Sequence, residues 1–215
     1  MFAHPPLSPS LALATGFGLA LAVASAQAWE VNNRVQIAHG KLTLDHSRSV
    51  REITQAQGRG GFPASHGLGL FQSRIKTELT VAAVDPAAPR RIEMTTRIST
   101  DPIIYVASEF PEDSCAYGVI LSHEMQHHLF DLEVLRVLPA EIGWITREVY
   151  PRDVLARDGL PNPGRSRSHF FQQLKYRHDE LSHIRHLAID NPESYRRLGE
   201  LCNGEIAKRL ATSPP

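Results

Sequence analysis

The chain has 215 residues, and its 23 Lys and Arg balance its 23 Asp and Glu to a formal net charge of zero. That balance excludes the basic footprint of a nucleic-acid partner and charge-driven attachment to an anionic membrane surface. Histidine is the unusual count, at 11, and seven of them fall between His123 and His186, a clustering that suits a metal site.

Residues 1–28 read as a signal peptide outside the fold. Residues 11–23 are apolar and rich in Leu and Ala, and Ala26-Gln27-Ala28 follows as an A-x-A cleavage site. The usual basic n-region is missing, but the apolar run is shorter than the roughly 20 residues of a bilayer span. A periplasmic or secreted protein is expected, cleaved near Ala28 and not inserted in a membrane afterwards. Residues 29–211 are expected to form one domain, and 212–215 a disordered tail. In an oxidising space Cys115 and Cys202 are expected to pair.

The first half reads as strands and turns. Residues 35–44 hold two short strands around a His39-Gly40 turn. Residues 57–70 form a Gly-rich loop that lacks the G-K-[ST] ending of a phosphate-binding loop. Ile75, Thr77, Leu79, Val81 and Ala83 alternate with polar residues as a half-buried strand. Asp85-Pro86 turns the chain, and residues 91–99 return as the second strand of a hairpin. Residues 102–108 give one more strand.

The second half reads as helices. Pro111-Glu112-Asp113-Ser114 is a helix start, and the helix is predicted over 115–135, ending before Pro139. Ala116, Ile120, His123, His127, Phe130 and Val134 share one stripe of it. A second helix is predicted over 140–150 and an exposed loop over 157–168. A long helix follows from about Ser168 to Asp190, and Asn191-Pro192-Glu193 opens the last one.

The first of these helices contains His123-Glu124-Met125-Gln126-His127, an H-E-x-x-H sequence. Histidines four apart on a helix point the same way, so His123 and His127 can hold one zinc ion. Glu124 between them can reach a water activated by the metal. Both imidazoles lie on a face expected to be buried, where they need partners. Asp131, four after His127, reads as an acceptor for that ring.

A catalytic zinc needs a third protein ligand. A His six residues on, after a Gly turn, is one solution, but Phe130 and Glu133 stand at those two positions. An E-x-x-x-D pattern on a later helix is another, and it is absent downstream. Asp179, His183, His186 and Asp190 instead share a face of the 168–190 helix and pair as carboxylate and imidazole. His183 is the expected third ligand, with His186, Asp179 and the adjacent Glu180 as alternatives.

With these residues the chain resembles the zincins, the superfamily of H-E-x-x-H metallopeptidases. The stretch from Cys115 to Asp131 also resembles small exported bacterial zincin-like proteins, and residues 188–195 and Cys202 add to the likeness. The resemblance implies an α+β fold: an N-terminal mixed or antiparallel sheet, an edge strand at 103–107, the H-E-x-x-H helix, then C-terminal helices. It implies Zn2+ as cofactor and peptide or amide hydrolysis with Glu124 as general base. The oxyanion donor would come from Tyr195, Tyr176 or His178. A peptide or protein of the cell envelope would lie along the edge strand. The competing function is a non-catalytic envelope protein of this fold that binds a partner or holds structural zinc.

Overall fold

The computed structural model describes residues 30–58, 66–82, 91–149 and 163–212. The expected signal peptide, the middle of the Gly-rich loop, the turn at 85–89, the loop at 157–162 and the end of the tail lie outside the described residues. No helix among the described residues is long and apolar enough to cross a membrane.

The fold is α+β, a mixed open sheet with helices packed on one face. Its strands are β1 (Glu30–His39), β2 (Thr43–Asp45), β3 (Gly69–Val81) and β4 (Arg91–Val106). β4 is central: β1 and β2 lie end to end along one side, parallel to it, and β3 runs antiparallel along the other. Residues 103–107, expected at the edge, therefore lie in and just beyond the central strand, and β3 is the edge strand on the side away from β1 and β2. From Ile92 to Thr100 alternate residues of β4 are buried, the period of a sheet covered on one face.

The two strands expected at 91–99 and 102–108 are one. Proline removes a ladder donor, but no ladder bond is missing here. Pairing with β1 ends at Thr100 and pairing with β2 begins at Ile103, so Pro102 faces the gap between them. Gly40 closes this gap. Its N–H donates to the Thr100 carbonyl at 2.8 Å, and a Cβ there would stand 2.2 Å from that oxygen.

Among the described residues five α-helices follow or interrupt the strands: α1 (Val50–Ala56), α2 (Cys115–Trp144), α3 (Pro163–Ile189), α4 (Pro192–Glu200) and α5 (Glu205–Thr212). The loop expected to reach Ser168 thus gives way to helix at Pro163, and the expected last helix is split by a 3-10 turn at Cys202–Gly204. α1 is not among the expected elements, although Ser49 and Glu52 form a full capping box at its start. α2 passes through Pro139 and ends in a π-helical turn, Ile145–Val149, where two separate helices were expected. Leu135, Leu138 and Ile142 are all buried on one side of it, so packing on both sides of the proline outweighs the lost hydrogen bond.

α2 is the spine of the molecule. Its first turns pack with Ile104, Val106, Phe110 and Ile206, and its last turns with Ile98, Phe170 and Leu174. His123, Glu124 and His127 lie between these two apolar clusters, each at most 7% exposed. Asp131 rather than Phe130 continues the buried stripe. α3 runs antiparallel to α2, with Arg177 against Glu141 and Arg185 against Glu133.

Cys115 and Cys202 form a disulfide, with Cα atoms 5.6 Å apart across a sequence separation of 87 residues. It ties the start of α2 to the turn before α5. Glu205 of α5 also accepts the Ala116 N–H at 3.2 Å, which satisfies one free donor of the α2 N-terminus. Closing so long a loop stabilises by about 4–5 kcal/mol. Replacing both cysteines by Ser should lower the melting temperature by roughly 10 °C or more, read by calorimetry; a change of about 2 °C or less would mean the staple is not limiting.

Candidate metal centre

Three side chains converge between α2 and the end of α3. His123 Nε2 lies 3.2 Å and His127 Nε2 3.3 Å from one oxygen of Asp190, Oδ1. The three ligand atoms lie within 4.8 Å of one another and could hold a metal ion. Ligands bonded at about 2.0–2.2 Å in a tetrahedral site stand roughly 3.4 Å apart, so the spacing suits a cation. The same spacing serves a hydrogen bond when a proton lies between the atoms.

Local sequence explains how Asp190 gets there. α3 stops at Ile189, and Asn191 caps α4 by accepting the Ser194 N–H at 2.9 Å, with Pro192 in the first turn. The chain bends at Asp190 and the carboxylate points back at α2. Tyr195 on α4 donates its hydroxyl to Asp190 Oδ1 at 2.7 Å. Burial pushes Asp190 up, but hydrogen bonds from His123, His127 and Tyr195 outweigh it and hold the carboxyl well below the usual range. Burial pulls His123 down, while its hydrogen bond to Asp190 and the charges of Glu124 and Asp190 raise it to a net value above 6.5.

Glu124 reaches the other way, toward the sheet. Its Oε2 accepts the Phe71 N–H of β3 at 2.8 Å. Its Oε1 lies against Gly69, where a Cβ would stand 2.7 Å from that oxygen and 2.8 Å from Ile120 Cγ2. Burial raises the Glu124 carboxyl more than His127, His123 and the Phe71 N–H lower it. A cavity of about 30 Å³ opens beside His123 and Glu124, walled by Gln57, His66, Leu68, Tyr195 and Leu198. That is room for a water, which needs about 10–15 Å³. Gly69→Ala should therefore displace the Glu124 carboxylate, at a cost of about 1–3 kcal/mol in overpacking. Unfolding titration checks this, and an unchanged stability would mean that Ile120 and Glu124 have slack.

His123, Glu124 and His127 are thus brought together as the sequence suggested, and His183 is not among them. It is exposed on α3. The α3 ridge that meets α2 is Phe170, Leu174, His178, Ser182, His186 and Asp190, strictly four apart. His183 stands one residue beyond Ser182, turned about 100° away. Asp179 pairs with Lys175, and Glu180 with Arg177, both at the surface. Asp131 faces His178 at 3.8 Å rather than being joined to His127. His127 Nδ1 meets His186 Nδ1 at 2.6 Å instead. Asp190, which the spacing marked only as a partner of His186, takes the third place.

No protein-family model matches the chain, and no curated protein or solved structure matches it, so the chemistry rests on its own residues.

Proposed function

We propose that this protein is an exported zinc-dependent peptidase, or a related amide hydrolase, with a zincin-like fold. One observation carries the reading. His123, His127 and Asp190 converge on one point, and Glu124 lines the cleft beside them. Two histidines and one carboxylate leave a fourth position for water, the donor set of a catalytic zinc. Zinc held there supplies a Lewis acid that acidifies water at neutral pH. Glu124 takes the proton of the attacking water on Oε1 and delivers it to the leaving amine. Its upward shift suits a group that must both accept and return a proton. Of the three expected oxyanion donors, Tyr195 lines the cleft, whereas His178 faces Asp131 and Tyr176 is 62% exposed.

The substrate is a peptide or protein of the cell envelope. The β3–β4 register supports this, because Leu68 and Ala82 bond toward β4 and the odd-numbered residues between them point away. Ser73, Ile75 and Thr77 thus direct backbone groups to the outer edge, where an extended peptide can add as a strand. The disulfide is compatible with an oxidising compartment. The purified protein should hold one zinc per molecule and cut members of a mixed peptide library, with cleavage stopped by chelation and restored by zinc. Bound zinc with no cleavage would make the metal structural, and no zinc at all would overturn the reading.

A further inference from the structure

The contact between His127 and His186 has no role in the chemistry above. Their Nδ1 atoms are 2.6 Å apart, and the two rings are within 15° of parallel with centroids 4.6 Å apart. Two imidazole nitrogens this close share one proton, so one ring donates and the other accepts. His127 turns its other nitrogen, Nε2, to Asp190. His186 therefore stands on the far side of the His127 ring from the point where the three ligand atoms converge. It is no fourth ligand.

We propose that His186 is a positioning residue that sets the tautomer of His127, and that the two rings exchange tautomers when the site is loaded. The inference rests on the metal site proposed above. Without a cation, His127 Nε2–H donates to Asp190, so its Nδ1 accepts from His186 Nδ1–H. A cation needs the Nε2 lone pair of His127. The proton shared between the rings then moves from His186 Nδ1 to His127 Nδ1. The Nε2 proton of His127 leaves to solvent, and His186 takes one from solvent on its own Nε2. Both rings stay neutral, and no proton is gained or lost by the pair.

The more usual acceptor behind a ligating histidine is a carboxylate or carbonyl. Asp131, one turn on from His127, is turned to His178 instead. α3 and the residue just after it thus supply the outer partner and the ligand, four residues apart. Moving that helix would move both together.

The test is zinc affinity by chelator competition for the parent, His186→Ala and His186→Asn, with 15N imidazole spectra of each parent state. Asn places an acceptor oxygen on Cγ, where His carries Nδ1. His186→Ala should bind zinc about 10–100-fold more weakly. His186→Asn should recover most of that loss, which a role in packing alone would not predict. In the parent, zinc should move the His127 proton from Nε2 to Nδ1 and the His186 proton from Nδ1 to Nε2. A parent that binds zinc while His186→Ala binds equally well, or while the His186 signals stay fixed, overturns the inference alone. A parent that takes up no zinc overturns the metal site and the inference with it.

Discussion

Asp190→Ala should abolish stoichiometric zinc binding, whereas His183→Ala should leave it unchanged. Asp190 meets both histidines through one oxygen, and His183 faces solvent. A structural zinc site with four protein ligands is worth about 10–16 kcal/mol, or roughly 2.5–4 kcal/mol per ligand, so losing one ligand costs about 10²–10³-fold in affinity. Asp190→Asn adds a pH signature to the metal-free protein. The Asp190 carboxyl is depressed, so its stabilising effect is present above its ordinary value of 3.8 and is lost only at strongly acid pH. The His123 imidazole is raised, so its effect is complete below its ordinary 6.5 and is lost as pH rises through its folded value. The pair is therefore worth most between those limits. The melting-temperature gap between parent and Asp190→Asn should be wider at pH 6 than at pH 8.5. Zinc affinity should run the other way and rise with pH, because the metal competes with the His123 proton. Equal zinc content in Asp190→Ala and the parent would remove Asp190 from the site.

The parts of this fold that were legible are those set by short-range spacing. Histidines four apart at 123 and 127 have only one helical reading, and a stripe of apolar neighbours told which way they face. The Cys115–Cys202 pair followed from there being two cysteines and an expected export. What failed was distance along and around a helix. A spacing of 4, 3 and 4 puts Asp179, His183, His186 and Asp190 on one face of an ideal helix, but α3 meets α2 along a ridge of strict fours. Residues on that ridge face the buried side of α2, whereas Arg177 and Arg185 beside it reach only its surface carboxylates, and which ridge is used depends on the crossing of two helices. The prolines misled for a related reason. Pro102 falls where two partner strands abut, and Pro139 sits in a helix held by core contacts on both sides of it. Neither neighbour is visible in the chain near the proline. α1 is different, because its capping box at Ser49 and Glu52 is a local signal carried by the sequence itself.

Glu124→Gln should abolish hydrolysis without loss of zinc or of stability. A proton-transferring side chain contributes about 10²–10⁴ in rate, so activity should fall at least a hundredfold. Glutamine is close in shape to glutamate, and its carbonyl can still accept the Phe71 N–H. Its amide cannot take a proton from water at neutral pH. Stability gives a second, independent readout. Burial raises the Glu124 carboxyl above its ordinary 4.5, which means that its charge is held at a cost in the folded protein. A group with a raised folded value is least favourable when ionised, so at pH 8 the neutral amide should melt at the same temperature as the parent or higher. Glu124→Ala differs, because it leaves the Phe71 N–H without its acceptor and should cost about 1–3 kcal/mol. Activity surviving in Glu124→Gln would show that the proton goes elsewhere. Activity lost together with zinc would show that the residue holds the site rather than works in it. Only loss of cleavage with zinc and melting temperature intact assigns Glu124 to the chemistry.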